Sequence, residues 1–204
     1  MKTILLAAAA FLACGVAQAA GVGIRAGTTG FGGDVAFGIA PTLSGRVGYS
    51  AARWSNNVNT SNAHYDGHLK LSNLNALVDF HPLGPAFRLS GGLILNDNKY
   101  EATGHPNGIP GSFSATVKPG RSAAPYLGVG GGNVAGAGIN FYADAGVMFM
   151  GSPKATLSPD CSGLSAAQCS ALQGQAAAEQ SRLEDELKRF KAFPVLSIGI
   201  TIGF

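Results

Sequence analysis

The sequence predicts an all-β protein, an eight-stranded antiparallel transmembrane β-barrel with a short helix in its last extracellular loop. Three observations support this prediction. The last ten residues, 195–204, alternate between apolar and small or polar side chains and end on an aromatic residue. Charged residues make up only 12% of the chain, which is about half the usual fraction in soluble proteins. No run of roughly 18 apolar residues follows the N-terminal segment, which excludes membrane-spanning helices. A closed β-barrel is the other structure that satisfies all of its backbone hydrogen bonds in lipid.

The N-terminal segment, residues 1–19, is predicted to be a cleaved signal peptide. Lys2 provides a positive start, residues 4–13 are apolar, and residues 17–19 (Ala-Gln-Ala) fit the small-x-small cleavage pattern. The apolar run is too short to span a bilayer as a helix. A lipoprotein signal with Cys14 as the lipidated residue is the alternative, although the residues before it fit a lipoprotein box poorly.

Eight strands can be counted along the mature chain, residues 20–204, which is predicted to be one barrel domain. Their predicted positions are 22–28, 34–39, 43–53, 64–80, 86–100, 124–131, 139–150 and 195–204. In the fourth strand the apolar phase slips between Leu71 and Leu74, which predicts a β-bulge. An even strand number places both termini on the periplasmic side. The long connections 54–63, 103–122 and 151–193 are then extracellular, as outer-membrane barrels require.

The last of these loops is predicted to contain a helix over residues 164–191. Ser165 and Gln168 have the spacing of a capping box. Cys161 and Cys169 both survive signal cleavage, and two nearby cysteines in a secreted protein favour a local disulfide. That disulfide would tether the start of the helix. The helix is either a lid or partner-binding element at the barrel mouth, or a solvated helix that packs on the rim.

Inward-facing charges are the candidate functional residues of the barrel interior. Strand phase and distance from the turns place Arg46, Asp79 and Arg88 at similar depth on neighbouring strands, which predicts an ion-pair network. Arg25 and Asp144 are available to this network from across the barrel. Charges in a narrow interior must pair, because an unpaired buried charge is costly. Eight strands enclose a space just wide enough for side chains, so we expect a filled interior, although many inward glycines leave room for a cavity.

A second candidate group, His64, Asp66 and His68, shares one strand face near the extracellular rim. These residue types suit a metal or a general base with an orienting carboxylate. No evident nucleophile accompanies them, so we predict no catalytic residue, no metal and no cofactor. The net charge is only +3, and no basic cluster is evident on any predicted face, which argues against a nucleic-acid partner.

The C-terminal strand resembles the last strand of bacterial outer-membrane barrels, which typically ends on Phe after alternating apolar residues. Its apolar residues are Leu196, Ile198, Ile200, Ile202 and Phe204. The resemblance implies that the barrel-assembly machinery recognises this strand. The mature chain as a whole resembles the small eight-stranded barrels that include the OmpA transmembrane domain, OmpX and OmpW, and residues 125–130 are similar to a strand of OmpW-type proteins.

The resemblance implies an integral, multi-pass protein of the outer membrane of a Gram-negative bacterium, monomeric and in contact with outer-membrane lipid and lipopolysaccharide. The leading hypothesis is a non-enzymatic protein with a structural or surface-interacting role. The alternative is a narrow channel for small hydrophobic solutes, as the likeness to OmpW implies. The second alternative is a lipid-active outer-membrane enzyme.

Overall fold

The computed structural model describes residues 20–59, 63–106 and 112–204, and the predicted signal peptide lies outside them. The described part contains twelve strands and one helix. The strands are β1 (Ala20–Gly27), β2 (Gly30–Ala40), β3 (Leu43–Asn59), β4 (Ala63–Phe80), β5 (Pro82–Pro85), β6 (Arg88–Asn96), β7 (Lys99–Pro106), β8 (Ser112–Lys118), β9 (Ala123–Gly131), β10 (Gly138–Met148), β11 (Lys154–Asp160) and β12 (Phe193–Gly203). The helix, α1 (Ala166–Leu187), lies between β11 and β12.

Eight of these strands close into an antiparallel barrel, as the sequence predicts. The ring runs β1, β2, β3, β4, β6, β9, β10, β12 and back to β1. The two ends of the described chain meet where Ala20 and Phe204 exchange backbone hydrogen bonds of 3.0 and 2.8 Å. We call this end of the barrel, which also holds the connections 41–42 and 132–137, the turn end. The opposite end, with the longer connections, is the loop end.

Alternation gives each barrel strand an apolar outer face, whereas the inner face carries mainly polar or small side chains. Along β12, Ile198 and Ile202 are exposed on the outside, whereas Thr201 is buried on the inside. The inner face of β12 also carries Gly199, where a Cβ would lie 2.3 Å from the ring of Tyr142. A glycine at this position therefore makes room for a large side chain from the neighbouring strand.

Five strands form an open, curved sheet beyond the ring at the loop end. The order in this sheet is β3, β4, β7, β8, β11. β6 and β7 pair with β4 in a single register, since Asn96 lies opposite Asn73 and Lys99 lies opposite Lys70. The long strand β4 therefore spans both the barrel and the open sheet. β7 pairs with the loop-end half of β4, and β8 and β11 extend the sheet from there.

The predicted loops at this end are wrong in large part. Most of 54–63 continues β3 or begins β4, while 103–122 contains the end of β7 and all of β8, and 151–193 contains β11 as well as the helix. These segments are mostly polar, and 103–122 is also rich in glycine and proline, which is typical of loops. They become strands because each finds a paired neighbour.

The predicted bulge between Leu71 and Leu74 is also wrong. β3 and β4 keep one register over their whole length, from Leu43 opposite Phe80 to Asn59 opposite His64. The apparent phase slip arises because Leu71 faces inward and is buried. An apolar side chain on the inner face breaks the pattern in the sequence without breaking the strand.

Helix α1 begins as predicted and ends four residues before the predicted limit. Ser165 is its N-cap and forms a capping box with Gln168. The helix lies against β11, the edge strand of the open sheet, and Leu157 donates a backbone hydrogen bond of 3.1 Å to Gln180 Oε1. An edge strand exposes unpaired backbone groups, and α1 covers part of this edge. No helix of the described residues is both long and apolar enough to cross a membrane.

Candidate functional site

The barrel interior contains a cluster of four buried charges, Arg46, Asp79, Arg88 and Asp144. Arg46 Nη1 donates to Asp144 Oδ2 at 2.7 Å, and Arg88 Nη2 donates to Asp144 Oδ1. Arg46 Nε lies 3.2 Å from Asp79 Oδ2, and Arg88 Nε lies 3.7 Å from Asp79 Oδ1. These two contacts with Asp79 are ionic, since neither Nε makes a hydrogen bond. The two arginines and two aspartates thus alternate in a neutral ring, which we call the four-charge cluster.

Aromatic and hydroxyl groups complete the surroundings of the four-charge cluster. The guanidinium carbons of Arg46 and Arg88 lie 5.3 and 5.4 Å from the centre of the Tyr142 ring, which is within the range of a cation–π contact. Ser90 donates a hydrogen bond of 2.5 Å to Asp79 Oδ1. Tyr142 thus lies beside both guanidinium groups, and Ser90 supports the carboxylate of Asp79.

Arg25 is placed differently from the sequence-based expectation. It contacts Asp34 at 3.5 Å, donates to Asn75 Oδ1 at 2.5 Å and donates to Ser50 Oγ at 3.2 Å. Asp34 is not among the residues of the predicted network. The register of β1 with β2, in which Gly23 lies opposite Asp34, brings the two charges close together. The interior thus holds three arginines and three aspartates.

An apolar layer fills the interior on the loop-end side of the charges. Its buried members are Leu77, Ile94, Ala124, Tyr126, Met148 and Val195. Between this layer and the charges the free space is about 10 Å³. A space of that size holds about one water molecule. The expected filled interior is what the structure contains, and the inward glycines leave no larger cavity at this level.

The connection between β9 and β10, residues 132–137, folds into the barrel at the turn end. Val134 is fully buried and Ala135 nearly so, and both pack with Ala36 and Tyr142. Arg88 Nη1 donates to the carbonyl oxygen of Gly132 at 3.2 Å, which ties this connection to the four-charge cluster. This inward fold is not among the sequence-based predictions, because it depends on the space that neighbouring strands leave.

The open sheet at the loop end presents an apolar recess on its inner face. Trp54, Leu69 and Tyr100 lie side by side on β3, β4 and β7. They occupy the face of β4 that also carries the buried Leu71 and Asn73. The recess measures about 450 Å³ and its walls are mainly apolar. We call it the cup; its lining residues are Trp54, Asn56, Asp66, Gly67, Leu69, Tyr100 and Ala102.

The rim residues His64, Asp66 and His68 divide into two separate interactions. His64 Nε2 lies 3.0 Å from Asp66 Oδ1. His68 Nδ1 lies 2.9 Å from Ser55 Oγ on the neighbouring strand. Across the described ranges no group of three or more His, Cys, Asp or Glu side chains is arranged to hold a metal ion. The structure therefore brings His64 and Asp66 together and directs His68 elsewhere.

Two further sets of predicted residues lie outside the barrel interior. Cys161 and Cys169 form a disulfide with a Cα–Cα distance of 5.4 Å, at the start of α1. The apolar residues of the C-terminal strand form one exposed outer row, and Phe204 ends it with 76% of its surface exposed. That row comprises Leu196, Ile198, Ile200, Ile202 and Phe204.

Solved structures with the same architecture exist, although no protein-family model and no curated protein sequence matches this chain. CarO2 of Acinetobacter baumannii is similar with a TM-score of 0.64 and 18% sequence identity, over 91% of this chain and 98% of that chain. CarO of the same organism gives a TM-score of 0.63 and 18% identity, over 92% and 98%. At this identity the likeness is one of fold. It supports the eight-stranded barrel, and it does not extend to the finer resemblance to OmpA, OmpX and OmpW.

Proposed function

We propose that this chain is an integral outer-membrane β-barrel protein of a Gram-negative bacterium, non-enzymatic, with a structural or surface-interacting role. The observation that carries this proposal is the apolar outer surface of a closed ring. Ile24, Phe141 and Ile198 are exposed by 70%, 69% and 67%. Contiguous apolar surface of this extent is rare on proteins that function in water. A closed ring also leaves no unpaired backbone edge in lipid.

The interior supports a closed barrel in preference to an open pore. Six charges, three of each sign, cancel and cross-link the strands, and the connection 132–137 occupies the turn end. Between the apolar layer and the charges, the remaining space is of the order of one water molecule. The open sheet and α1 are additions to the eight-stranded ring. We therefore propose that the loop end makes the contacts with the environment.

The test is conductance and solute flux of the folded protein in planar bilayers and liposomes. We expect wild-type protein to give no steady conductance. Arg46→Ala, which removes a charge from the four-charge cluster, is compared with Arg182→Ala, which removes an exposed charge from α1. A steady wild-type conductance would contradict the closed barrel. Failure of the protein to insert into lipid at all, measured by alkaline extraction of vesicles, would contradict the membrane assignment itself.

A second candidate function, capture of small hydrophobic solutes, is favoured by the cup. Its volume of about 450 Å³ lies within the range of small-molecule sites, and Trp54 and Tyr100 line it. Trp54 is the single tryptophan of the chain, so its fluorescence reports directly on this recess. In lipid nanodiscs we expect toluene to shift the Trp54 emission in the wild type and not in Leu69→Glu. An equal shift in both proteins would indicate partition into lipid instead.

A further inference from the structure

Five basic residues stand side by side across the open sheet. Arg53 lies opposite Lys70, and Lys70 lies opposite Lys99. Tyr100 pairs with Val117, which places Lys99 next to Lys118, and Lys118 lies opposite Lys154. The registers thus form one continuous row of cations on β3, β4, β7, β8 and β11. We call it the basic row; its members are Arg53, Lys70, Lys99, Lys118 and Lys154.

The basic row lies on the outer face, just beyond the apolar surface of the barrel. Lys70 lies on the same face of β4 as Leu74, which is exposed on the outside. Lys99 lies on the same face of the sheet as the exposed Leu95 of β6. Each lies four residues further toward the loop end than its apolar counterpart. At a rise of about 3.3 Å per residue and a strand tilt near 40°, the row stands roughly 10 Å above the last apolar ring.

The basic row carries more positive charge than its own carboxylates balance. Lys70 is paired with Asp97 at 3.1 Å and Lys99 with Glu101 at 2.5 Å. Within residues 20–59, 63–106 and 112–204, no carboxylate forms a salt bridge with the other three members, Arg53, Lys118 and Lys154. Like charges directly opposite one another on neighbouring strands repel. The row therefore carries three positive charges, those of Arg53, Lys118 and Lys154, beyond the two that its carboxylates pair.

The local electrostatics agree with this charge excess. A hydrogen bond from Lys99 lowers the pKa of Glu101, and the positive charges of Lys99, His68 and Lys118 act in the same direction. A single carboxylate thus lies within the field of two members of the row. A second row, two residues further out, consists of Ser55, His68, Glu101, Thr116 and Thr156, so Glu101 is its one carboxylate.

We propose that the basic row binds the phosphate groups of the anionic glycolipid of the outer leaflet. The proposal rests on the proposed outer-membrane location. A lipid headgroup fits better than a soluble anion, because the cations lie at one height along the barrel surface, directly above the apolar face that acyl chains would cover. Lysines supply point charges for phosphate, and Arg53 supplies a planar fork that can hold a phosphate with two hydrogen bonds.

The sequence predicts no basic cluster, and for this surface that expectation is wrong. The five residues are spread over about a hundred positions and come from five separate strands. No two of them lie close together in the sequence. Only the registers of the open sheet bring them into one row.

The test compares two triple variants that remove the same charge. Arg53→Gln/Lys118→Gln/Lys154→Gln removes the unpaired members of the basic row. Arg182→Gln/Lys188→Gln/Arg189→Gln removes three exposed charges from α1. Both are inserted into nanodiscs, and folding is checked by heat-modifiable mobility. Binding of lipid A and of its dephosphorylated form is then measured by native mass spectrometry and by competition.

We expect wild type and the α1 variant to prefer lipid A over the dephosphorylated form, and the basic-row variant to lose roughly a hundredfold in that preference, because each basic side chain near an anionic surface contributes separately. High salt should weaken the preference. Equal preference in the two variants would overturn the proposal. So would full competition by millimolar inorganic phosphate or by a soluble polyanion such as heparin, since either would make the row a general anion site. A protein that does not enter nanodiscs would instead overturn the proposed function.

Discussion

Tyr142 donates a hydrogen bond of 2.6 Å from its hydroxyl group to Asp34 Oδ2. The bond joins β10 to β2, which are separated in the ring by β12 and β1. It also connects the two halves of the polar interior, because Asp34 contacts Arg25 while the Tyr142 ring lies beside Arg46 and Arg88. One tyrosine thus links all three buried arginines.

Tyr142→Phe should destabilise the barrel while leaving its shape intact. The change removes one hydroxyl donor and leaves a buried carboxylate less well satisfied, which costs about 1.5–3 kcal/mol for a hydrogen bond to a charged group. Urea unfolding in lipid vesicles measures the loss. Tyr49→Phe is the matched control, because its hydroxyl bonds Ser72 on the exposed surface. Equal losses in the two variants would contradict a special role of the bond to Asp34.

Asp144→Asn should destabilise more strongly than any single loss on the surface. Asp144 accepts hydrogen bonds from both Arg46 and Arg88, so its removal leaves the two guanidinium groups to share Asp79. Breaking a buried ion pair by removing one partner costs about 3–5 kcal/mol. The same unfolding experiment measures it.

The control for this experiment is Asp185→Asn in α1, which breaks an exposed pair with Lys188. Exposed ion pairs contribute about 0–1 kcal/mol, so its unfolding midpoint should barely move. If Asp144→Asn were as mild as Asp185→Asn, the four-charge cluster would contribute little to stability. The closed interior would then depend on the apolar layer.

The barrel and the depth of its charges can be predicted from sequence because alternation determines which face each residue occupies. Arg46, Asp79 and Arg88 fall on neighbouring strands, so a short argument from the turns places them together. Asp34 was harder to assign because its partners depend on the register between strands. The register between two strands is set by the turns and by side-chain packing together. The sequence of one strand does not reveal it.

The open sheet could not be predicted for a related reason. Residues 112–118 include the strand formers Phe113, Thr116 and Val117, but the Gly- and Pro-rich stretches on both sides indicate a loop. The segment becomes a strand by pairing with the edge of β7. The inward fold of residues 132–137 likewise depends on space left by neighbours. Both features are tertiary in origin, and local composition points toward loops in each case.

Gly21→Val should destabilise the turn end of the barrel. A Cβ at Gly21 would lie 2.3 Å from the carbonyl oxygen of Val134, a backbone atom that cannot move without displacing the connection 132–137. Overpacking of this kind typically costs about 1–3 kcal/mol. Gly174→Ala in α1 is the control, since nothing lies within 4 Å of its added Cβ. A neutral Gly21→Val would show that residues 132–137 do not pack where the structure places them.

Loss of the disulfide should loosen α1 without unfolding the barrel. The bridge closes a loop with a sequence separation of 8 between Cys161 and Cys169, for which chain entropy predicts about 2–3 kcal/mol. Limited trypsin digestion after Arg182 and Lys188 should therefore be faster in Cys161→Ser/Cys169→Ser than in wild type. Heat-modifiable mobility should be unchanged. Identical digestion rates would mean that packing on β11 alone holds the helix.

Phe204→Ser should slow assembly in the cell while leaving folding of the purified protein unchanged. The side chain is 76% exposed, and the link between the two ends of the described chain is made by the backbone groups of Ala20 and Phe204, so the folded barrel does not depend on the ring. The resemblance of the last strand to other outer-membrane barrels predicts that the assembly machinery recognises this residue. The folded fraction in proteoliposomes that contain the machinery should fall, whereas folding into detergent should match wild type. Phe190→Ser, an exposed aromatic near α1, is the matched control, and a parallel fall in that variant would remove the assembly role from Phe204.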